Sequence, residues 1–194
     1  IPGDWRNQKA HGGGMVLDWG IHLLDQALRI GEGRKLISVY AELTNVTNEE
    51  CDDGFRVTLI FEGDLSMYVE VTTSNFIELP RWYILGENGS AVINDWDLNG
   101  EIVKVSDWEN RDAVPILAGV GLTKTMAPRT DDTIKHYPLP KVDSSWTQFY
   151  ENVFAALRGE EEQLITHDQQ RRLLKLVDAI FESGNENKVV FFDK

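Results

Sequence analysis

Residues 55–72 read FRVTLIFEGDLSMYVEVT. Phe55, Val57, Leu59 and Phe61 alternate with Arg56, Thr58, Ile60 and Glu62. Leu65, Met67, Val69 and Val71 alternate with Ser66, Tyr68, Glu70 and Thr72. Successive side chains of a strand point to opposite faces, so this period of two predicts two half-buried strands. Gly63-Asp64 between them predicts a tight hairpin with glycine at a positive φ. The Phe/Val/Leu face of such a hairpin must be covered by other elements.

The rest of the chain supplies them. A third period-two run, Val39, Ala41 and Leu43 against Tyr40, Glu42 and Thr44, precedes the hairpin. Asn88-Gly89 and Asn99-Gly100 punctuate the apolar runs 81–87, 91–94 and 101–105, which predicts further hairpins and an antiparallel meander. Residues 106–143, with Pro115, Pro128, Pro138 and Pro140, read as a long irregular segment holding one short strand near 133–137. Residues 15–30 predict a helix that stops before Gly31 and Gly33. Two helices close the chain, about 145–158 and 167–183. Ser145 with Gln148 and Thr166 with Gln169 fit the capping box, and Gly159 and Gly184 serve as stops. The first shows Trp146, Phe149, Tyr150, Val153, Phe154 and Leu157 on one side; the second shows Leu173, Leu176, Val177, Ile180 and Phe181. A last strand covers Lys188 to Phe192. Helix, meander, two helices and strand make an α+β domain: a mostly antiparallel open sheet with helices packed on one face.

Bulk properties narrow the function classes. A chain of 194 residues with 42% hydrophobic residues builds a core without disulfide or metal. Cys51 is the single cysteine, which fits a reducing compartment and a cytoplasmic location. The net charge of −13 without a basic run argues against nucleic acid as a partner. No apolar run reaches the ~20 residues of a membrane span.

The helix over 15–30 carries an unusual stripe. At about 100° per residue, Asp18, His22, Asp25 and Arg29 share one side. Leu17, Ile21, Leu24 and Leu28 flank it on one hand, and Trp19, Leu23, Gln26 and Ile30 on the other. Val16, Gly20 and Ala27 lie opposite, small enough for close packing. Carboxylates and an imidazole on a mostly apolar helix belong either to a wet cleft or to a surface stripe of Asp18–His22 and Asp25–Arg29 pairs. In a cleft, a carboxylate one turn from an imidazole orients the ring for general acid/base work. A metal site from Asp18, His22 and Asp25 is a third reading. Gly12-Gly13-Gly14 before the helix allows close approach of a ligand to backbone, or makes a plain entry loop.

The segment GGGMVLDWGIHLLDQ resembles the Gly-Gly-Gly, then Asp-x-Gly-x-His-x-x-Asp pattern of the glucose–fructose oxidoreductase/inositol dehydrogenase/rhizopine-catabolism (Gfo/Idh/MocA) family. Asp4-Trp5-Arg6 before it, GLTKTMAPRTDD, and the closing THDQQRRLLKLVDAIFESGNENKVV are similar to segments of the same family. The resemblance implies two domains in the whole enzyme. A Rossmann domain binds NAD or NADP, and a C-terminal domain shapes the substrate site and mediates oligomers. Residues 1–194 resemble only the second. No Gly-x-Gly-x-x-Gly is present, and Gly31-Glu32-Gly33 follows a helix instead of a strand. The chain opens at Ile1, which fits a piece of a longer enzyme, inactive and without cofactor when alone.

By the resemblance, His22 is the catalytic acid/base. Asp18 binds substrate and sets the charge of His22. Asp25 closes the motif in a supporting and substrate-side role, and Arg6 and Trp5 sit near substrate or the domain junction. The implied substrate is a sugar, a polyol or a related small carbonyl compound. The implied partner is a second copy, joined through the open sheet face that carries Tyr40, Glu42, Tyr68, Glu70 and Thr72. The competing reading is a non-enzymatic sugar-binding or dimerisation module of the same fold. Of the remaining candidates, His11, His136 and His167 read as surface residues, and Glu160, Glu161 and Glu162 as a solvated loop. Trp82, Trp96 and Trp108 are sugar-stacking or core residues, and Cys51 between acidic neighbours has a raised pKa.

Overall fold

A computed structural model describes residues 4–109, 116, 117, 120, 122, 123 and 129–192. Pro115, Pro128 and half of the family-like segment 121–132 lie outside the described residues. The chain divides into two compact units: residues up to Phe76 together with those from Trp146 onward, and Ile77–Ser145.

In the first unit, strands β1 (Leu36–Thr44), β2 (Gly54–Phe61) and β3 (Leu65–Thr72) form the antiparallel sheet that the alternation predicts. The short strand β10 (Val190–Phe191) adds to the outer edge of β1. Phe61 pairs with Leu65 across a three-residue turn in which Gly63 and Asp64 both take positive φ, 74° and 59°. The Arg34 guanidinium donates to the Glu62 and Gly63 carbonyls, which closes that turn against the chain leaving the first helix.

Helices α1 (Ile21–Ile30) and α3 (His167–Glu186) cover one face of this sheet. Leu24, Leu28, Leu176 and Ile180 meet Val39, Phe55, Val57 and Leu59, all nearly or fully buried. Each such side chain contributes about 1.5–3 kcal/mol by burial. The Thr166–Gln169 capping box starts α3 as predicted: the Gln169 N–H donates to the Thr166 hydroxyl and the Thr166 N–H to the Gln169 side chain. Ser183 is fully buried; its hydroxyl accepts the Ala41 N–H at 2.8 Å and donates to the Lys188 carbonyl at 2.6 Å. Arg172 donates to the Leu28 carbonyl at 2.6 Å, so a cation meets the negative C-terminal end of α1.

Several predictions at element ends are revised. The helix over 15–30 begins as a π-helical turn, Val16–Gly20, and becomes α-helical only from Ile21. Gly184 does not stop α3, which runs to Glu186 and ends on Asn187 in the left-handed region. Glycine is needed at 184 for approach: a Cβ there would lie 2.6 Å from Leu43. The residue before α2 (Thr147–Leu157) is Trp146, not Ser145, and Trp146 gives no side-chain cap. The aromatic side of α2 is exposed, with Trp146, Phe149, Tyr150, Phe154 and Leu157 open to solvent. Its buried residues are Asn152 and Ala155; the Asn152 amide donates to the Glu162 carbonyl and accepts the Leu164 N–H.

The second unit holds a separate antiparallel sheet. Its order is β4 (Trp82–Gly86), β5 (Gly89–Ile93), β6 (Gly100–Val105) and β9 (Ile134–Pro138). The strands β7 (Ile116–Leu117) and β8 (Leu122–Thr123) pair with each other. The α+β class stands, with its antiparallel strands divided between two four-stranded sheets. Both Asn-Gly pairs mark strand connections, but neither glycine takes a positive φ. Each opens a strand where a Cβ would strike a neighbouring carbonyl, Val103 at 2.4 Å for Gly89 and Val92 at 2.0 Å for Gly100.

Candidate functional site

The site is built where the entry loop meets the π-turn. Asp4 caps the short 3-10 turn Trp5–Asn7 by accepting the Arg6 N–H at 3.1 Å, and that bond leads the causes holding its carboxyl below the usual range. The Arg6 guanidinium also lies 3.5 Å from Asp4 Oδ1. The Arg6 Nε donates to Asp18 Oδ2 at 3.0 Å, and the guanidinium lies 4.7 Å from the centre of the Trp5 ring. The pair is partly exposed, so its neighbouring oxygens and N–H groups stay open to solvent.

The π-turn carries Asp18. Gly20 N–H donates to the Met15 carbonyl at 2.7 Å, the i→i+5 pattern, and Asp18 N–H donates to the Gly14 carbonyl. Gly20 is the glycine of the Asp-x-Gly-x-His pattern, and packing explains it. A Cβ there would lie 2.7 Å from the Phe55 ring. The prediction that Gly20 and Val16 face a close neighbour therefore holds, and Val16 is fully buried.

His22 follows in the first turn of α1. It is exposed, with no hydrogen-bond or ion-pair partner among the described residues. Asp25 instead pairs with Arg29 at 3.0 Å, the local i,i+4 bond of the surface reading. Thus Trp5, Arg6 and Asp18 come together and His22 stands one turn beyond. Asp25 is engaged on its own helix. Asp18 bonds Arg6 and makes no hydrogen bond to His22.

Other candidates are accounted for locally. His11 bonds Gln8, and His136 bonds Glu101 at 2.7 Å in the second unit. Cys51 is buried, and burial first and Asp52 second push its thiol up. Arg81 stacks on Trp96 at 3.7 Å and Arg129 on Trp108 at 4.7 Å, so a guanidinium already occupies one face of each ring. A cavity of about 470 Å³ beside the glycine loop is lined by Lys9, Gly13, Leu17, Cys51, Asp52 and Phe181 among others, and by none of the five site residues. Among the described residues no group of His, Cys, Asp or Glu is arranged to hold a metal ion, and no helix is long and apolar enough to cross a membrane.

Sequence reading missed Asp52 and Asp53, adjacent carboxylates just before β2. Asp52 Oδ2 accepts the Val16 N–H at 2.8 Å, which fixes the start of the π-turn. Burial raises the Asp53 carboxyl, yet the net shift is downward because Thr47, Val46 and Thr44 donate to it. The only signal in the sequence is the doubled acid at the foot of a strand.

Over residues 1–92 the chain matches the family described as GFO/IDH/MocA C-terminal domain. It is 21% identical over 193 residues to scyllo-inositol 2-dehydrogenase (NADP(+)) IolW of Bacillus subtilis strain 168, covering 97% of this chain and 52% of that protein. A crystal structure of an NAD-binding protein from Listeria innocua is 44% identical, with a TM-score of 0.91, over 99% of this chain and 55% of that one. The WlbA dehydrogenase of Bordetella pertussis, solved with NADH and UDP-GlcNAcA, shares the fold at 20% identity and a TM-score of 0.58, over 94% of this chain and 46% of its own. The chain spans about half the length of the relatives it matches.

Proposed function

We propose that this chain is the C-terminal, substrate-holding domain of an NAD(P)-dependent oxidoreductase acting on a sugar, a polyol or a related small carbonyl compound. The carrying observation is the Arg6–Asp18 ion pair at 3.0 Å, set between the glycine loop and a solvent-open His22. The names of the inositol dehydrogenase relative and of the sugar-nucleotide complex support the substrate class.

The residues divide the work by their chemistry. Arg6 offers N–H donors beyond the one that Asp18 occupies, and Asp18 offers acceptor lone pairs; together they suit the hydroxyls of a polyol. The face of Trp5 that the Arg6 guanidinium leaves open provides an apolar wall for ring C–H groups. His22, whose ring nitrogen can accept a proton and give it back, takes the hydroxyl proton in oxidation and returns it in reduction. Asp25 steadies α1 through Arg29. The glycine loop at residues 12–14 leads from a 3-10 turn into the π-turn instead of joining a strand to a helix, so it is not a dinucleotide fingerprint. The nicotinamide, held by a Rossmann domain outside this chain, supplies the hydride chemistry when bound. The face of the first sheet opposite α1 and α3, with Arg56 between Glu42 and Glu70, is the surface we assign to a second copy, and the single cysteine supports a cytoplasmic location.

The test is turnover of the full-length polypeptide. His22→Ala is expected to lower kcat by about 10²–10⁴-fold with NAD(P)H affinity unchanged. Unchanged turnover would overturn the assignment of His22. The present chain titrated with NADH and NADPH is expected to show no tight binding, and tight binding would overturn the division between domains.

A further inference from the structure

Asp52 is a buried carboxylate, 7% exposed, that the chemistry above does not use. Its side chain accepts the Val16 N–H at 2.8 Å, and its main-chain carbonyl accepts the Met15 N–H at 3.0 Å. Gly14 lies directly against it. The φ of Gly14 is 114°, and a Cβ there would come within 2.3 Å of Asp52 Oδ1. Only glycine lets the loop settle on this carboxylate.

Gly14 is in turn the backbone node of the ion pair. Its N–H donates to the Arg6 carbonyl at 2.9 Å, and its carbonyl accepts the Asp18 N–H at 3.0 Å. The same loop that carries Asp52 grips the Arg6 turn from the side. Cys51 Sγ lies 3.6 Å from the Arg6 carbonyl, and Asn48 donates to the Asn7 carbonyl at 3.1 Å. Both main-chain segments that present the ion pair are therefore fastened to one glycine, and that glycine rests on Asp52. An ordinary N-cap precedes the helix it caps; Asp52 lies 36 residues after Val16 in sequence and ties the helix start to β2. Burial pushes its carboxyl up, opposed by the backbone N–H bonds, so the group is kept here against a desolvation cost.

We infer that Asp52 is a positioning residue which, acting through Gly14, sets the placement of the Arg6 guanidinium against the Asp18 carboxylate. Its importance to turnover rests on the proposed role of that pair in holding substrate.

Two variants test it. Asp52→Ala removes the acceptor, whereas Asp52→Asn keeps a carbonyl oxygen for Val16 in the same shape. The first readout is hydrogen exchange of the Arg6 Nε–H, followed by nitrogen-edited NMR on this chain. Asp52→Ala is expected to speed it by about tenfold or more, with the amides of β1–β3 exchanging as before, and Asp52→Asn to stay within about threefold of the parent. Unchanged exchange in Asp52→Ala overturns the inference. So does an equal acceleration across β1–β3, which makes Asp52 a general stability residue, or an Asp52→Asn variant as loose as Asp52→Ala. The second readout is kinetic, in the full-length polypeptide: Asp52→Ala is expected to raise KM about tenfold with kcat within about twofold. A fall in kcat at unchanged KM overturns it. The NMR readout needs neither substrate nor nicotinamide, so it separates failure of this inference from failure of the His22 assignment.

Discussion

Arg6 and Asp18, twelve positions apart in sequence, share a hydrogen bond of 3.0 Å that ties the entry loop to the π-turn. An exposed pair of this kind adds about 0–1 kcal/mol to stability. Its expected weight is therefore in binding. Arg6→Ala in the full-length enzyme should raise KM about tenfold while the melting temperature of the isolated chain changes little. Arg6→Lys should recover only part of the loss, because an ammonium lacks the planar fork of donors. Steady-state kinetics beside thermal melts checks both.

Gly20→Ala places a methyl against the Phe55 ring in a packed core, which costs about 1–3 kcal/mol. Chemical denaturation measures it. Combining Gly20→Ala with Phe55→Leu should show favourable coupling, since the smaller side chain makes room for the methyl; strict additivity would mean that the ring does not constrain residue 20.

Ser183→Ala leaves the Ala41 N–H without its side-chain acceptor inside the core, at a cost of about 1–3 kcal/mol. Denaturation gives the magnitude. Amide exchange should accelerate first at Ala41 and at the β10 pairing beside it.

His136 is held above the usual imidazole range, first by its hydrogen bond to Glu101 and secondarily by the charges of Glu101 and Asp131. A raised folded-state pKa stabilises fully below the unfolded value near 6.5 and is lost as pH rises through the folded value. The second unit should therefore lose this contribution on going from mildly acidic to mildly alkaline buffer. Glu101→Gln should move the His136 resonance titration downward in NMR and flatten the dependence.

Legibility in the sequence followed the range of the interactions. The β2–β3 hairpin was readable because its period of two and its turn residues are local, and so was the Thr166 capping box. The Ser145 box has equally good letters, but α2 starts at Thr147 and its cap position falls on Trp146. Gly89, Gly100 and Gly184 have the local setting of turns or stops, although each answers to an atom on a neighbouring element that no local rule contains. The π-turn escaped a wheel drawn at a fixed angle. Asp18 was set beside His22 by that wheel, whereas its hydrogen-bond partner lies upstream in Arg6. Asp52 was invisible for the same reason: its partners Gly14 and Val16 are near only after folding.

The covering of the first sheet has a consequence for how the protein is made. Ala41 receives its Ser183 hydroxyl from 142 residues downstream, and Leu176 and Ile180, which shield the same strands, arrive with that helix. At synthesis rates of about 5–20 residues per second, Ala41 waits roughly 7–28 seconds for Ser183 to be made. Through that interval the apolar face of the hairpin lacks the helix that covers it, so this sheet completes its core only after α3 has been made.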